Sequence, residues 1–479
     1  MNYAKTVEYD IAVAGGGVAG VAAAVEAARS GKKVVLIEKA TQLGGLATIG
    51  LINLFVPMCN GRGTQIIKGM ADEFLRLSIQ YGFDTIPEDW KNGEPGQGNT
   101  QQRLISRYSA PIFSLVLCKL LRDVNVDILF DTVITGTNVQ DGHIESLDLF
   151  NKSGFICCKA KMFVDASGDS DVCHFAGAPT ATGGNYHTYI SFQADLESCQ
   201  KALEKQDIAH LVHGRLAGSA NLYGKGHPEG MPLWDGTDGD SVTNYLVSNQ
   251  LELLDKIKDD DRKSRDITLL PIMPQFRTTR HLVGNYVLQP EDTYRHFDDS
   301  VCAVCDFERR DYLYEIPYST LVKDGFDNLI AAGRCVSAER YAWDVVRVIP
   351  PAILTGQAAG AAVSQALDGG KAITDIDVSV LQTRLTKENV IIHFPLSQSR
   401  VMLSNFPIHS MHLTSMVYST EATDHRHFPE VEPSVALCLV FPSESSSHHR
   451  TAPWSYCECL PDHTGRAFPS FQCLFLKAL

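Results

Sequence analysis

The chain has no run of about 18 or more apolar residues, the length that would predict a membrane-spanning helix. Positive charge is also scarce. Forty-two Lys and Arg stand against 56 Asp and Glu, a formal net charge of −14. A surface of that sign repels phosphate backbones, so nucleic acid is not an expected partner. The first ten residues are polar, and the apolar run Ile11-Ala12-Val13-Ala14 is too short for the core of an export signal. The expected location is therefore the cytoplasm, where the 13 cysteines are expected as reduced thiols rather than a disulfide framework. Histidine and cysteine nowhere fall at metal-ligand spacing, so no metal is expected. What remains is an ordinary globular composition, 44% hydrophobic and 20% charged, in 479 residues. That length exceeds a single hydrophobic core and predicts two or three domains.

The first forty residues carry the clearest pattern. Tyr9-Asp10-Ile11-Ala12-Val13-Ala14 has the apolar character of a parallel strand buried on both faces. Gly15-Gly16-Gly17-Val18-Ala19-Gly20 follows, then an alanine-rich helical stretch over 21–30 stopped by Gly31. Lys33-Val34-Val35-Leu36-Ile37 predicts the next strand, ending at Glu38. In such a βαβ unit Gly15 permits the tight turn, Gly17 lets the backbone approach a pyrophosphate, and Gly20 lets helix pack on strand. The helix N-terminus offers amides and a positive dipole end to the anion, and Glu38 is placed to accept from a ribose diol.

This unit alone fits either NAD or FAD. Lys39 and then Gly44-Gly45-Leu46-Ala47-Thr48 come next. A second glycine pair here resembles the flavoprotein pattern, in which this loop passes the ribityl chain and flavin. Three further blocks extend the likeness: residues 44–69, the strand-and-turn Phe163-Val164-Asp165-Ala166-Ser167-Gly168-Asp169, and residues 328–360, which include Leu329-Ile330-Ala331-Ala332-Gly333-Arg334. Together, over roughly 8–395, the chain resembles the FAD-dependent oxidoreductase family of glutathione-reductase-like flavoproteins. That family is distantly related to fumarate reductase flavoproteins and to tRNA-modifying and halogenating flavoenzymes.

The resemblance implies an α/β fold: an FAD-binding Rossmann-like domain of glutathione reductase type with an inserted α+β substrate domain. It implies FAD as cofactor, held by Gly15, Gly16, Gly17, Val18, Ala19 and Gly20, by Glu38 and Lys39, and by Gly44, Gly45 and Leu46. Val133 and the turn Ala166-Ser167-Gly168 would lie near the adenosine half, and Gly333 and Arg334 beside the ribityl phosphate. Most relatives outside the family carry Asp after that glycine, so Arg334 marks the subgroup. Residues 349–362 open with Pro350-Pro351, which suits a first helical turn. This helix would bring Ile353, Gly356, Gln357 and Ala358 towards the flavin, its N-terminus favouring negative charge there. No second dinucleotide fingerprint appears, so electrons are expected from the substrate or from an external donor or acceptor.

The expected boundaries are 1–182 and 311–395 for the two parts of the FAD domain and 183–310 for the inserted cap. Within the insert, Arg277-Thr278-Thr279-Arg280-His281 is the most suggestive run. Arg277 and Arg280 could clamp a carboxylate and His281 could move a proton; a solvated basic turn or an internal salt bridge is the competing reading. Arg347 is the candidate charge beside the isoalloxazine, unless it pairs with Glu339 or Asp344. Tyr186, His187 and Tyr189 either face substrate or pack at a domain seam. Cys302-Ala303-Val304-Cys305 has redox-motif spacing but reads as a strand. Residues 84–101 predict an exposed loop; 126–137 and 144–159 predict strands, with Asp141-Gly142 as a hairpin turn. Residues 396–479 lose the family pattern, hold seven of the 16 histidines, and predict a poorly ordered tail. The activity expected is hydride transfer between FAD and a small organic substrate. A non-catalytic or decayed flavin binder and an NAD-dependent dehydrogenase remain open alternatives.

Overall fold

The computed structural model describes residues 2–394; the tail expected over 396–479 lies outside the described residues. Among them a seven-stranded, mostly parallel sheet forms the centre of a mixed α/β fold. β1 (Lys5–Ala14) is followed by helix α1 (Val18–Arg29) and β2 (Val34–Ile37). β3 (Asp127–Leu129) pairs parallel with β2, and β6 (Gly154–Asp165) pairs parallel with β1 on its other side. The hairpin of β4 (Val133–Gln140) and β5 (His143–Asn151) adds antiparallel to the first half of β6. β7 (Leu329–Ala331) pairs parallel with the second half of the same edge, Phe163 to Asp165. Residues from both ends of the sequence therefore meet on one strand.

Two expected strands are divided. The stretch 126–137 breaks at Asp131, whose φ of 49° turns the chain between β3 and β4. The stretch 144–159 breaks at Lys152 and Ser153, where Gly154 takes φ 96° and opens β6. Between β4 and β5, Asp141 and Gly142 have φ of 52° and 80°, as a type I′ hairpin turn requires. The expected loop over 84–101 is tied down: Trp90 is 2% exposed and its indole N–H donates to Gln102 O.

The buried ends of the strands follow from sequence. Ile11, Ala12, Val13 and Ala14 are at most 1% exposed because neighbouring strands flank them and helices cover the sheet. α1 packs against α2 (Ile349–Gly369), which begins with Pro350 and Pro351 and ends at Gly370 in the left-handed region. A Cβ at Gly356 would sit 2.2 Å from Ala19 O, and one at Gly360 would sit 2.4 Å from Ala23 O. Two glycines four residues apart thus face two alanines four residues apart, which lets the helix backbones touch. α2 is apolar because protein surrounds it, and no single helix among the described residues is long and apolar enough to cross a membrane.

Residues 183–310 contribute their own three-stranded sheet, with Thr188–Asp195 central between His213–Ser219 and Arg265–Leu269. A separate cluster of Tyr189, Ala217, Trp234, Tyr245, Leu253 and Phe276 packs under the helix Gly239–Ile257. Tyr189 and His187 are buried there, with His187 Nε2 2.9 Å from Glu252 and Nδ1 accepting from the Trp234 indole. Cys302 and Cys305 lie buried in the strand Ser300–Cys305, and burial raises both thiols far above the ordinary range. All nine described cysteines are free thiols.

Gly356→Ala is expected to cost about 1–3 kcal/mol, the usual range for overpacking a tight core contact. Urea unfolding checks it, and an unchanged midpoint would mean the α1–α2 contact yields without strain.

Candidate cofactor and active site

The glycine loop is built around contacts that only glycine permits. Gly15 has φ 97°, and a Cβ on it would lie 2.4 Å from Ala166 O. A Cβ on Gly20 would collide with Gly15 O at 1.9 Å. Gly17 is different: a Cβ there would meet nothing within 4 Å. Gly17 is also the N-cap of α1, with no side chain capping the helix, so the terminal amides of Val18 and Ala19 lack that partner. The second glycine pair packs alongside. Gly44 N–H donates to Gly16 O at 2.8 Å, and Gly17 bridges Gly44 in parallel fashion. Leu46 lies in the 3-10 turn Gly45–Ala47 that follows.

Glu38 ends β2 and is 7% exposed. Its Oε2 accepts the Gly16 N–H at 2.6 Å and its Oε1 the Ala40 N–H at 2.6 Å. The carboxylate is thereby fixed at the glycine loop. Glu38 O accepts from Thr132 N–H, which brings the start of β4, and so Val133, beside it. The Val133 side chain is 47% exposed.

The turn after β6 is held by Asp165, which sequence reasoning missed as a functional position. Its fully buried carboxylate accepts from Ser167 N–H and Oγ and from Cys173 N–H. A strand-terminal acid before Ser-Gly was the available signal. Gly168, at φ 83°, gives its carbonyl to Arg334 Nε at 2.6 Å and to Thr279 Oγ1 at 3.0 Å. Arg334 also donates to Asp169 Oδ1 at 2.8 Å and to Phe276 O. Burial raises the Asp169 carboxyl, but Arg334 and Lys39 outweigh it and hold it below its ordinary value. Lys39 stands 3.4 Å from the same carboxylate. Gly333, φ 68°, donates to Thr355 Oγ1 and contacts Ala19 across the loop. The residues expected from the four blocks thus meet at the carboxyl ends of β1, β2, β6 and β7.

Other expected residues turn elsewhere. Ile353 and Ala358 are fully buried in the α2 core. Gln357 spends its amide on Met70 N–H and Glu388. Arg277 and Arg280 do not form one clamp. Arg277 lies in a bend before the strand that Arg280 opens, and the two bond different partners. Arg277 donates to the carbonyls of Asn221 and Ala220, while Arg280 reaches Asp169 O and lies 3.6 Å from Asp171. His281 is 2% exposed, its Nδ1 on Leu282 O and its ring edge-on to Trp343 at 4.5 Å. Burial lowers its pKa below the ordinary imidazole value.

Arg347 pairs with Asp344 at 2.6 Å rather than with Glu339. Burial lowers the pKa of Arg277, and the nearby Arg347 lowers it further, so these two cations share one neighbourhood. An open cavity of about 970 Å³ lies apart, lined by Leu54, Pro57, Arg103, Phe307 and Arg310 among others, and by none of the expected site residues. Residues 272–280 cross the cofactor blocks: Ile272 N–H donates to Ile49 O, Gln275 to Gly50 O, and Thr279 to Gly168 O.

The family model for FAD dependent oxidoreductases matches residues 10–214 and 263–385. The chain belongs to that family. Residues 215–262, outside the match, include the helix Gly239–Ile257. The glutamate synthase [NADPH] small chain of Bacillus subtilis (strain 168) is 28% identical over 173 residues, covering 36% of this chain and 30% of that one. The chain thus spans under a third of that relative's length. Among solved structures, a geranylgeranyl bacteriochlorophyll reductase-like protein of Thermoplasma acidophilum is 13% identical, covers 82% of this chain and 95% of its own, and gives a TM-score of 0.39. The p-nitrophenol 4-monooxygenase of Pseudomonas putida DLL-E4 is also 13% identical, covers 83% and 92%, and scores 0.40.

FAD is the cofactor, and by family the chain is an FAD-dependent oxidoreductase. The described loop fits it: an uncapped helix start, with the open approach at Gly17, suits a pyrophosphate.

Arg334→Lys is expected to lower stability by about 1–3 kcal/mol, because one ammonium cannot reach the three acceptors the guanidinium serves; chemical denaturation measures it. A second expectation concerns pH. Burial, then Asp169 and Asp165, raise the Asp171 carboxyl from 3.8 to about 6 against Lys39 and Arg280. A folded value above the unfolded one means ionised Asp171 weakens the fold; the penalty is absent below about pH 4 and complete above about pH 6. Asp171→Asn should therefore melt above the parent at pH 8, by about 1 kcal/mol or less given its solvent screening, and match it at pH 4. A gain confined to low pH would reverse the sign.

Proposed function

We propose that the enzyme transfers hydride between FAD and a small organic substrate, with the pyrophosphate seated on the start of α1 and the adenine ribose at Glu38. The observation that carries this is the contrast between the glycines. Gly15 and Gly20 are required by the chain's own packing, whereas Gly17 faces open space at the helix start. A glycine without an internal reason is accounted for by an external one, close approach of an anion.

When bound, FAD supplies the two-electron chemistry. The chain's part is to bind, orient and set charge. Glu38, fixed by two amides, would accept from a ribose hydroxyl on its remaining lone pairs. The Ala166-Ser167-Gly168 turn, pinned by Asp165 and Arg334, would shape the adenosine side. Residues 183–310 would act as the substrate-facing part, because 272–280 cross the glycine-pair loop and the β6 turn. Arg277 and Arg347 would bring positive charge to a substrate carrying an anionic group, with Asp344 orienting Arg347. Neither a decayed flavin binder nor an NAD-dependent dehydrogenase has an observation in its favour.

Gly17→Ala tests the reading cleanly, since its φ of −66° suits alanine. The variant should melt like the parent without cofactor yet bind FAD about tenfold or more weakly, as misplacement of a close phosphate contact predicts. Equal FAD affinity, measured by flavin fluorescence, would remove the pyrophosphate from this helix. Anaerobic screening of carboxylate-bearing alcohols and amines for flavin bleaching then addresses the substrate.

A further inference from the structure

His296, Glu315 and His393 come from three separate segments and converge. Their ligand atoms all lie within 4.8 Å of one another. Glu315, on the strand Leu313–Pro317, is completely buried. Its Oε1 stands 2.6 Å from His296 Nδ1 and its Oε2 2.9 Å from His393 Nδ1, while Oε2 also accepts the Phe297 N–H at 2.9 Å. A carboxylate withdrawn from water requires compensating positive charge. Among the described residues its ion-pair partners are these two histidines, with no lysine or arginine within pairing distance.

The surroundings suit an ion. The two imidazoles are 34% and 47% exposed at their side chains, so a cation can enter from solvent and water can complete its coordination. The His296 ring packs tilted against Phe394, with centroids 4.6 Å apart. His393 follows a segment already moored to the neighbouring strand, where Ala303 N–H donates to Ile391 O and Ser300 Oγ to Ile392 O. Sequence spacing hides the set, because its members stand 19 and 78 residues apart.

We propose that His296, Glu315 and His393 bind a divalent transition-metal ion of the zinc class. Two imidazoles and one carboxylate make a familiar donor set for such an ion, with water in the remaining position. Metal–ligand bonds of about 2.0–2.2 Å put tetrahedral ligand atoms roughly 3.3 Å apart, so the 2.6 Å contact lengthens by about 0.7 Å and the 2.9 Å contact by about 0.4 Å. The half-exposed rings can make that adjustment while the buried carboxylate stays. Among the described residues, none of the three hydrogen-bonds to a residue of the cofactor blocks. The ion's role is therefore structural: it ties the segment at 391–394 to the hairpin of Ser300–Cys305 and Leu313–Pro317.

The test is calorimetric titration of the full-length, FAD-loaded enzyme with Zn²⁺, with bound metal counted after dialysis. Seven further histidines lie in 409–463, so the readout is the difference between the parent and His296→Asn/His393→Asn. The parent is expected to bind one equivalent more than the double variant and to melt higher with zinc, while the variant's melt does not move. His393→Asn alone should weaken the site by about tenfold or more. An unchanged flavin spectrum certifies the fold of each variant and separates this question from cofactor binding. Equal stoichiometry and affinity in parent and double variant would overturn the proposal.

Discussion

The guanidinium of Arg334 is the contact on which the arrangement of this enzyme's cofactor loops depends. It joins the β6 turn through Gly168 and Asp169 to the crossing segment through Phe276, and its own carbonyl accepts from the Trp343 indole. Those partners lie 166, 58 and nine residues away along the chain. Gly168 and Phe276 lie in irregular segments, where little regular hydrogen bonding is available to fix position, and Trp343 lies in the short helix Arg340–Val346. A planar cation with several donors in fixed directions solves that problem, provided its charge is matched. Asp169 matches it, and Lys39 adds a second positive charge on the same acid.

Around this clasp two kinds of glycine do different work. At Gly15, Gly20, Gly356 and Gly360 the chain touches itself, and a methyl group has nowhere to go. At Gly17 the space is open. The first kind explains why strand, turn and helices can sit so close. The second separates a packing requirement from a binding one, a distinction that a glycine motif alone does not make.

The βαβ start was readable because its determinants are local. Gly15, Gly20, Gly31 and Glu38 stand where turn, close packing, helix stop and strand end require them, and β1, α1 and β2 followed. The α1–α2 contact was half visible, as a small-residue helix without a stated partner. The division of 144–159 depended on Gly154 opening a new strand, which alternation of apolar residues does not announce. The candidate arginines were harder. Arg277 and Arg280 look like a pair in one dimension, and only their separate partners, the Asn221 and Ala220 carbonyls against Asp169 and Asp171, part them. His281 reads as a reactive group until the pairing of Arg280–Leu282 with Thr180–Thr182 buries it beneath Trp343. Asp165 needed knowledge of where the following turn folds back. The His296, Glu315 and His393 grouping was out of reach altogether, since no periodicity links three such distant positions.

The contact of Gly356 and Gly360 with Ala19 and Ala23 has a consequence for biosynthesis. Helix α1 is made first, but the surface it leans on is translated some 340 residues later. At about 5–20 residues per second, α1 waits roughly 20–70 s on the ribosome before α2 exists. Until then its alanine face is bare, and the loop it carries has no wall behind it. The α1–α2 contact therefore closes only after residues 349–369 have been made.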